Sequence, residues 1–173
     1  GWQVLLIGGH SASGKKTVAA QIALSLGIPW MMVDDLRLAF QRARVRLPEG
    51  TDALDFDKTP HFWRRPPEEL RDALIAVGEV MSAPLEVVVE NHVDQNAPIV
   101  IEGDGILPSL LSRPPLLERM TTIRAAFLVE PEESQSWRTR LRAARDSSRA
   151  GQRRSCGWMR VPDGYLDSGS PRR

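Results

Sequence analysis

The chain has 173 residues, 42% of them hydrophobic, and a net charge of +1, enough to bury one sizeable core and hence to form one domain. Its lone cysteine, Cys156, excludes an internal disulfide, and no apolar run approaches the ~20 residues of a membrane-spanning helix. The charge is uneven: positions 138–173 hold ten arginines against three acidic residues (+7), while the remainder holds 13 basic and 19 acidic residues (−6).

At the N-terminus Gly1-Trp2-Gln3 lacks the basic stretch and apolar core of a signal peptide, so a cytoplasmic protein without a membrane partner is expected. Val4-Leu5-Leu6-Ile7 is a short continuous apolar run ending in Gly8-Gly9, the pattern of a strand buried on both faces of a parallel sheet. Val18, Ile22, Ala23 and Leu26 then recur at helical spacing, with Gly27 placed to end the helix. Trp30-Met31-Met32-Val33 reads as a second strand stopping at Asp34-Asp35, followed by a helix with Leu36, Phe40 and Ala43 on one face. Positions 48–67 are rich in Pro, Asp, Thr and Gly and read as a loop. Pro67-Glu68-Glu69 has the proline and acids of a helix first turn, and Leu70, Ala73, Leu74, Val77, Val80 and Met81 supply an apolar face. Pro84 is expected to kink or break that helix, which resumes over positions 85–92.

Pro98-Ile99-Val100-Ile101 is the third strand candidate, ending at Glu102-Gly103-Asp104-Gly105. Positions 107–120 read as helix and loop interrupted by Pro114-Pro115, and Ala125-Ala126-Phe127-Leu128-Val129 is the fourth strand. Strands alternating with helices imply a parallel sheet with helices on both faces, whose ligands gather at the carboxyl ends of the strands. Beyond about Arg145 the pattern fails. Positions 1–145 therefore read as the core and 146–173 as an irregular basic tail.

Gly9, His10, Ser11, Ala12, Ser13, Gly14 and Lys15 satisfy the G-x-x-x-x-G-K part of the P-loop motif, between a strand and a helix. Such a loop turns successive backbone N–H groups toward phosphate oxygens, and the helix adds its positive end. Lys15 is placed to contact the β- and γ-phosphates of a nucleoside triphosphate. The next residue in the motif is Ser or Thr, whose hydroxyl holds Mg²⁺, but here it is Lys16, with a hydroxyl one place later at Thr17. Lys16 cannot ligate a cation while protonated, so either carboxylates and water hold Mg²⁺ or the motif supports binding better than turnover.

The segments GGHSASGKKT, LGIPWMMVDDLR, positions 62–92, and IEGDGILP followed by FLVEP together resemble small P-loop kinases. They resemble 2-phosphoglycerate kinase-like proteins in particular and chloramphenicol phosphotransferase more distantly, over roughly three quarters of the chain. The resemblance implies an α/β P-loop NTPase fold of the kinase type. It also implies ATP and Mg²⁺ as cofactors, and γ-phosphoryl transfer to a small hydroxyl- or phosphate-bearing acceptor. It places the catalytic Asp at Asp34, which by its residue type could take the proton of an acceptor hydroxyl or could merely cap the next helix, as Asp35 is expected to do. Arg37 could grip an acceptor phosphate or carboxylate, or lie in solvent. Arg64, after Trp63, lies where an acceptor-binding insertion would be. Glu102 and Asp104 could orient Mg²⁺ or serve the turns around Gly103 and Gly105.

Arg138, Arg140, Arg142 and Arg145 follow the fourth strand, where kinases of this type carry a lid, and Arg138 and Arg142 are candidates for neutralising the transferred phosphoryl group. A fifth strand expected after the lid is missing from the sequence pattern. The alternative reading is therefore a nucleotide-binding protein without turnover. Binding of nucleic acid by the basic tail is disfavoured, because the tail lacks interleaved aromatics and the body is acidic.

Overall fold

The computed structural model describes residues 1–47 and 52–129. Its elements are β1 (Val4–Gly9), α1 (Lys15–Leu26), β2 (Trp30–Met32), α2 (Val33–Ala43), α3 (Pro67–Asp94), β3 (Ile99–Glu102), α4 (Pro114–Glu118) and β4 (Ile123–Leu128). Three short 3-10 segments, Asp52–Lys58, Phe62–Arg64 and Pro108–Ser112, occur in the connections. The sheet has the order β2-β3-β1-β4 among the described residues, and every neighbouring pair is parallel.

The apolar runs explain why β1 and β3 lie in the middle. All four residues of β3 are buried, as are Val4, Leu6 and Ile7 of β1. Alternate residues serve opposite faces: Val4, Leu6, Ile99 and Ile101 join the larger core, whereas Ile7 and Val100 join the smaller one. The smaller core is covered by α1, through Ala19 and Ala23 with Val18 and Ile22 at its edge. The larger is covered by α2, α3 and α4, through Val33, Val77, Met81, Leu85, Val89 and Leu116. Helices thus lie on both faces of a parallel sheet, which is the α/β P-loop kinase-type architecture.

Several boundaries differ from the sequence-based expectation. Val33 does not extend β2. It is buried as the first residue of α2, which follows the strand without a loop. Asp34 consequently does not end a strand, and Asp35 is not an N-cap: both sit in the first helical turn, where carboxylates suit the positive helix end, and Met32 holds the cap position. Pro84 does not divide α3, which runs unbroken for 28 residues. The missing N–H of Pro84 is tolerated because Val80, Met81, Leu85 and Val89, on either side of it, are buried in one core. Pro114 and Pro115 open α4 rather than interrupt a helix, since proline fits the first helical turn. β4 begins two residues earlier than its apolar run, at Ile123, which is fully buried.

The basic tail over positions 146–173, Cys156, and the positions in which a fifth strand is missed all lie outside the described residues. Among the described residues no helix is long and apolar enough to cross a membrane.

The two sides of Pro84 make opposite predictions for urea unfolding. Pro84→Ala restores a donor for the Val80 carbonyl and should stabilise the chain, by at most about 3 kcal/mol. Leu85→Ala, one position on and fully buried, should destabilise it by about 2–5 kcal/mol.

Candidate phosphate-loop and acceptor site

The loop between β1 and α1 is shaped by glycine where backbone must approach backbone. A Cβ on Gly9, at φ 129°, would lie 2.4 Å from the Leu128 carbonyl of β4, so β1 and β4 can pair this far only with glycine there. Gly14, at φ 89°, caps α1 and lets Val18 N–H donate back to its carbonyl. Ala12 is also left-handed, at φ 69°, despite its Cβ.

The turn directs Lys15 inward, leaving it 4% exposed. Its Nζ donates to the His10 carbonyl at 2.6 Å and to Ser13 Oγ at 3.5 Å, and pairs with Asp104 Oδ1 at 2.6 Å. The other Asp104 oxygen accepts from Ser11 Oγ. Asp104 therefore already engages two side chains of the loop, as an anion would. His10 Nδ1 lies 2.8 Å from the Ser11 carbonyl, which requires a proton on Nδ1, and its Nε2 is buried without a hydrogen-bond partner. Lys16 and Thr17 are exposed in the first turn of α1.

Glu102, at the end of β3, is 6% exposed. Burial pushes its carboxyl above the ordinary 4.5, the positive charge of Lys15 opposes the shift, and Asp104 and Asp34 reinforce it. Among the described residues no three His, Cys, Asp or Glu side chains form a cluster able to hold a metal ion. The oxygen donors Glu102 and Asp104 suit Mg²⁺, which is commonly held by one or two carboxylates together with substrate phosphates.

Beside Asp104 opens a cavity of about 160 Å³. At roughly 30 Å³ per water it has room for a handful of heavy atoms, which restricts any occupant to a small molecule or one end of a larger one. Asp34, Arg37, Asp57 and Asp104 are its charged lining, and Val33, Phe56, Leu74 and Val77 its apolar wall.

Arg37 is not solvent-exposed; it is 7% exposed. Its Nε donates to Asp34 Oδ1 at 3.2 Å, and its Nη1 donates to the Leu54 carbonyl at 3.2 Å and lies 3.7 Å from Asp57 Oδ2. The Phe56 ring centroid is 4.9 Å from Cζ, and the Phe62 ring packs on Phe56 at 4.9 Å.

The fold thus brings Lys15, Asp34, Arg37, Glu102 and Asp104 to one end of the sheet, although they come from three separate segments. Arg64 is exposed and does not line the cavity. Arg138, Arg140, Arg142 and Arg145 lie outside the described residues. Phe56 and Asp57 went unnoticed in sequence, inside a polar segment with no periodicity to mark them.

No protein-family model matches the chain. It is 27% identical over 141 residues to a 2-phosphoglycerate kinase of Methanopyrus kandleri, covering 78% of this chain and 42% of that protein. It is 31% identical over 113 residues to a 2-phosphoglycerate kinase of Methanothermobacter thermautotrophicus, covering 62% and 37%. The chain therefore spans about two-fifths of the length of these curated relatives. Among solved structures it is similar to a sugar kinase from Janibacter sp. HTCC2649, at 20% identity and TM-score 0.43 over 80% of this chain and 66% of that one. It is also similar to a shikimate kinase from Acinetobacter baumannii, at 19% identity and TM-score 0.42 over 80% and 62%. The resemblance to 2-phosphoglycerate kinases carried by the sequence segments thus recurs in the curated relatives.

The buried Glu102 makes stability depend on pH in a defined sense. Its folded pKa is raised, so the folded state holds the proton more tightly, and stability should fall as pH rises from 4.5 through the folded value. Glu102→Gln should flatten that decline in metal-free urea titrations across the same range, and should not weaken the chain at neutral pH.

Proposed function

We propose that the chain binds ATP with Mg²⁺ and transfers the γ-phosphoryl group to a small hydroxyl- or phosphate-bearing acceptor, as a 2-phosphoglycerate kinase-like phosphotransferase. The observation that carries this reading is the double role of Asp104, which pairs with Lys15 of the loop and also lines the cavity holding Asp34. A donor site and an acceptor site thus share one boundary.

In this reading Gly9, His10, Ser11, Ala12, Ser13, Gly14, Lys15, Lys16 and Thr17 surround the triphosphate, mainly through backbone N–H groups and the N-terminal end of α1. Lys15 exchanges Asp104 for the β- and γ-phosphates. Glu102, Asp104 and Thr17 are the residues that would hold Mg²⁺, which neutralises charge on the phosphates when bound. Asp34 accepts the proton of the acceptor hydroxyl while that oxygen bonds to the γ-phosphorus, and the bond from phosphorus to the bridging oxygen of ADP breaks. Arg37 lies at the acceptor, and the exposed Arg64, outside the cavity lining, is assigned to the acceptor only as an outer contact. Arg138 and Arg142 neutralise the transferred group. The name of the curated relatives puts a phosphorylated hydroxy acid among the acceptors.

Lys16 favours a second reading, nucleotide binding without turnover, since an exposed ammonium stands where the motif has a metal-binding hydroxyl.

Calorimetric titration with a non-hydrolysable ATP analogue tests the nucleotide binding that both readings require. Binding tightened by Mg²⁺ and lost in Lys15→Ala is the expected result, and no binding overturns both. With an active acceptor found by ADP release, Asp34→Asn should lower kcat by about 10²–10⁴-fold while nucleotide affinity stays unchanged. ADP release that no acceptor stimulates would favour the second reading.

A further inference from the structure

Lys15 has three N–H donors, and three acceptors surround its Nζ: the His10 carbonyl at 2.6 Å, Ser13 Oγ at 3.5 Å and Asp104 Oδ1 at 2.6 Å. A phosphate oxygen that reaches this ammonium must displace one of them. The His10 carbonyl also accepts from the Ser13 N–H, so that contact and the Ser13 hydroxyl belong to the turn itself. Asp104 comes from a different segment, and its second oxygen accepts from Ser11 Oγ. It is therefore the acceptor that can leave without undoing the loop, and it is also the one whose charge repels phosphate. Its backbone is held in place: Gly103 N–H donates to the Ile7 carbonyl at 3.1 Å, and a Cβ on Gly103 would lie 2.5 Å from Val33 Cβ. Release is thus a rotation of the Asp104 side chain, which is 28% exposed against 5% for that of Lys15.

We propose that Asp104 is a specificity-determining residue for the nucleotide: it competes with the phosphates for Lys15 and Ser11, and so favours the Mg²⁺ complex over the free triphosphate. A metal-free triphosphate brings its full negative charge to a carboxylate that has just given up its ammonium. In the Mg²⁺ complex the phosphates carry less charge, and the released Asp104 oxygens suit the ion. One carboxylate thus opposes one form of the nucleotide and accommodates the other. The inference rests on the reading of this loop as the nucleotide site, and it deepens that reading: Asp104 makes the metal count at the binding step as well as at the transfer.

The test titrates the full chain with the non-hydrolysable ATP analogue by calorimetry, once with divalent metal chelated and once in excess Mg²⁺. Wild type is compared with Asp104→Asn, which keeps an acceptor oxygen but removes the charge, and with Asp104→Glu, which keeps the charge. With metal chelated, Asp104→Asn should bind the analogue about tenfold more tightly than wild type, and Asp104→Glu should show no gain. The tightening that Mg²⁺ brings should shrink by a similar factor in Asp104→Asn. Equal metal-free binding by wild type and Asp104→Asn, whether tight or absent, overturns the proposal, as does a gain shared by Asp104→Glu. Mere damage to the loop has the opposite sign, because it weakens metal-free binding, and that result overturns the proposal too. Should Asp104→Asn fail to fold, Asp104→Ala takes its place with the same expectation. Nucleotide bound by none of the proteins in either condition sinks the phosphotransferase reading itself, whereas binding in Mg²⁺ without the metal-free gain sinks the role of Asp104 alone.

Discussion

The site is organised around a buried lysine that must find an anion. Lys15 is withdrawn from water by the turn that starts α1, and an ammonium in that position is tolerated only when paired and hydrogen-bonded. Asp104 answers it at 2.6 Å from the end of β3, and also accepts from Ser11. One ion pair therefore ties the loop after β1 to the loop after β3, the two central strands. The same carboxylate joins Lys15 to Ser11 and so fixes the shape of the loop.

A second buried cation, Arg37, organises the neighbouring space in a comparable way. It is the fifth residue of α2, just past the first turn, near the helix end that does not favour a cation, and the local cost is offset by Asp34, Asp57 and the Leu54 carbonyl. These contacts bind the 3-10 segment Asp52–Lys58 to α2, and Leu54 of that segment enters the larger core, fully buried. The segment is thus a wall of the cavity rather than a passive connection. Glu102 lies within the influence of Lys15, and its raised pKa reflects burial outweighing that attraction.

The charge pairs also divide the site by chemistry. On the loop side, backbone N–H groups and Lys15 present donors, which suits phosphate oxygens. On the cavity side, Asp34, Asp57 and Asp104 present acceptors, which suits hydroxyl protons. Phosphoryl transfer to an alcohol needs one of each, placed against a common boundary.

The strands and the loop were legible in sequence because their signals are local. Continuous apolar runs mark strands buried on both faces, and the G-x-x-x-x-G-K spacing after such a run marks the turn into α1 as a candidate phosphate loop. Asp34, Arg37, Glu102 and Asp104 were legible as candidates because each follows an apolar run at the carboxyl end of the sheet. Their roles were not, since an arginine that could be gripping or solvated is distinguished only by what packs on it. The helix through Pro84 and the early start of α2 at Val33 were decided by burial in the common core, which outweighs a missing hydrogen bond. Asp57 and Phe56 were invisible because they act through contacts with residues 16 to 20 positions away, and nothing in a polar segment encodes those contacts locally. The sequence by itself determined the fold class, the order of its elements and the glycine-rich loop between β1 and α1. Only the tertiary structure decided which charges are paired, because pairing depends on distance in space and on the exclusion of water.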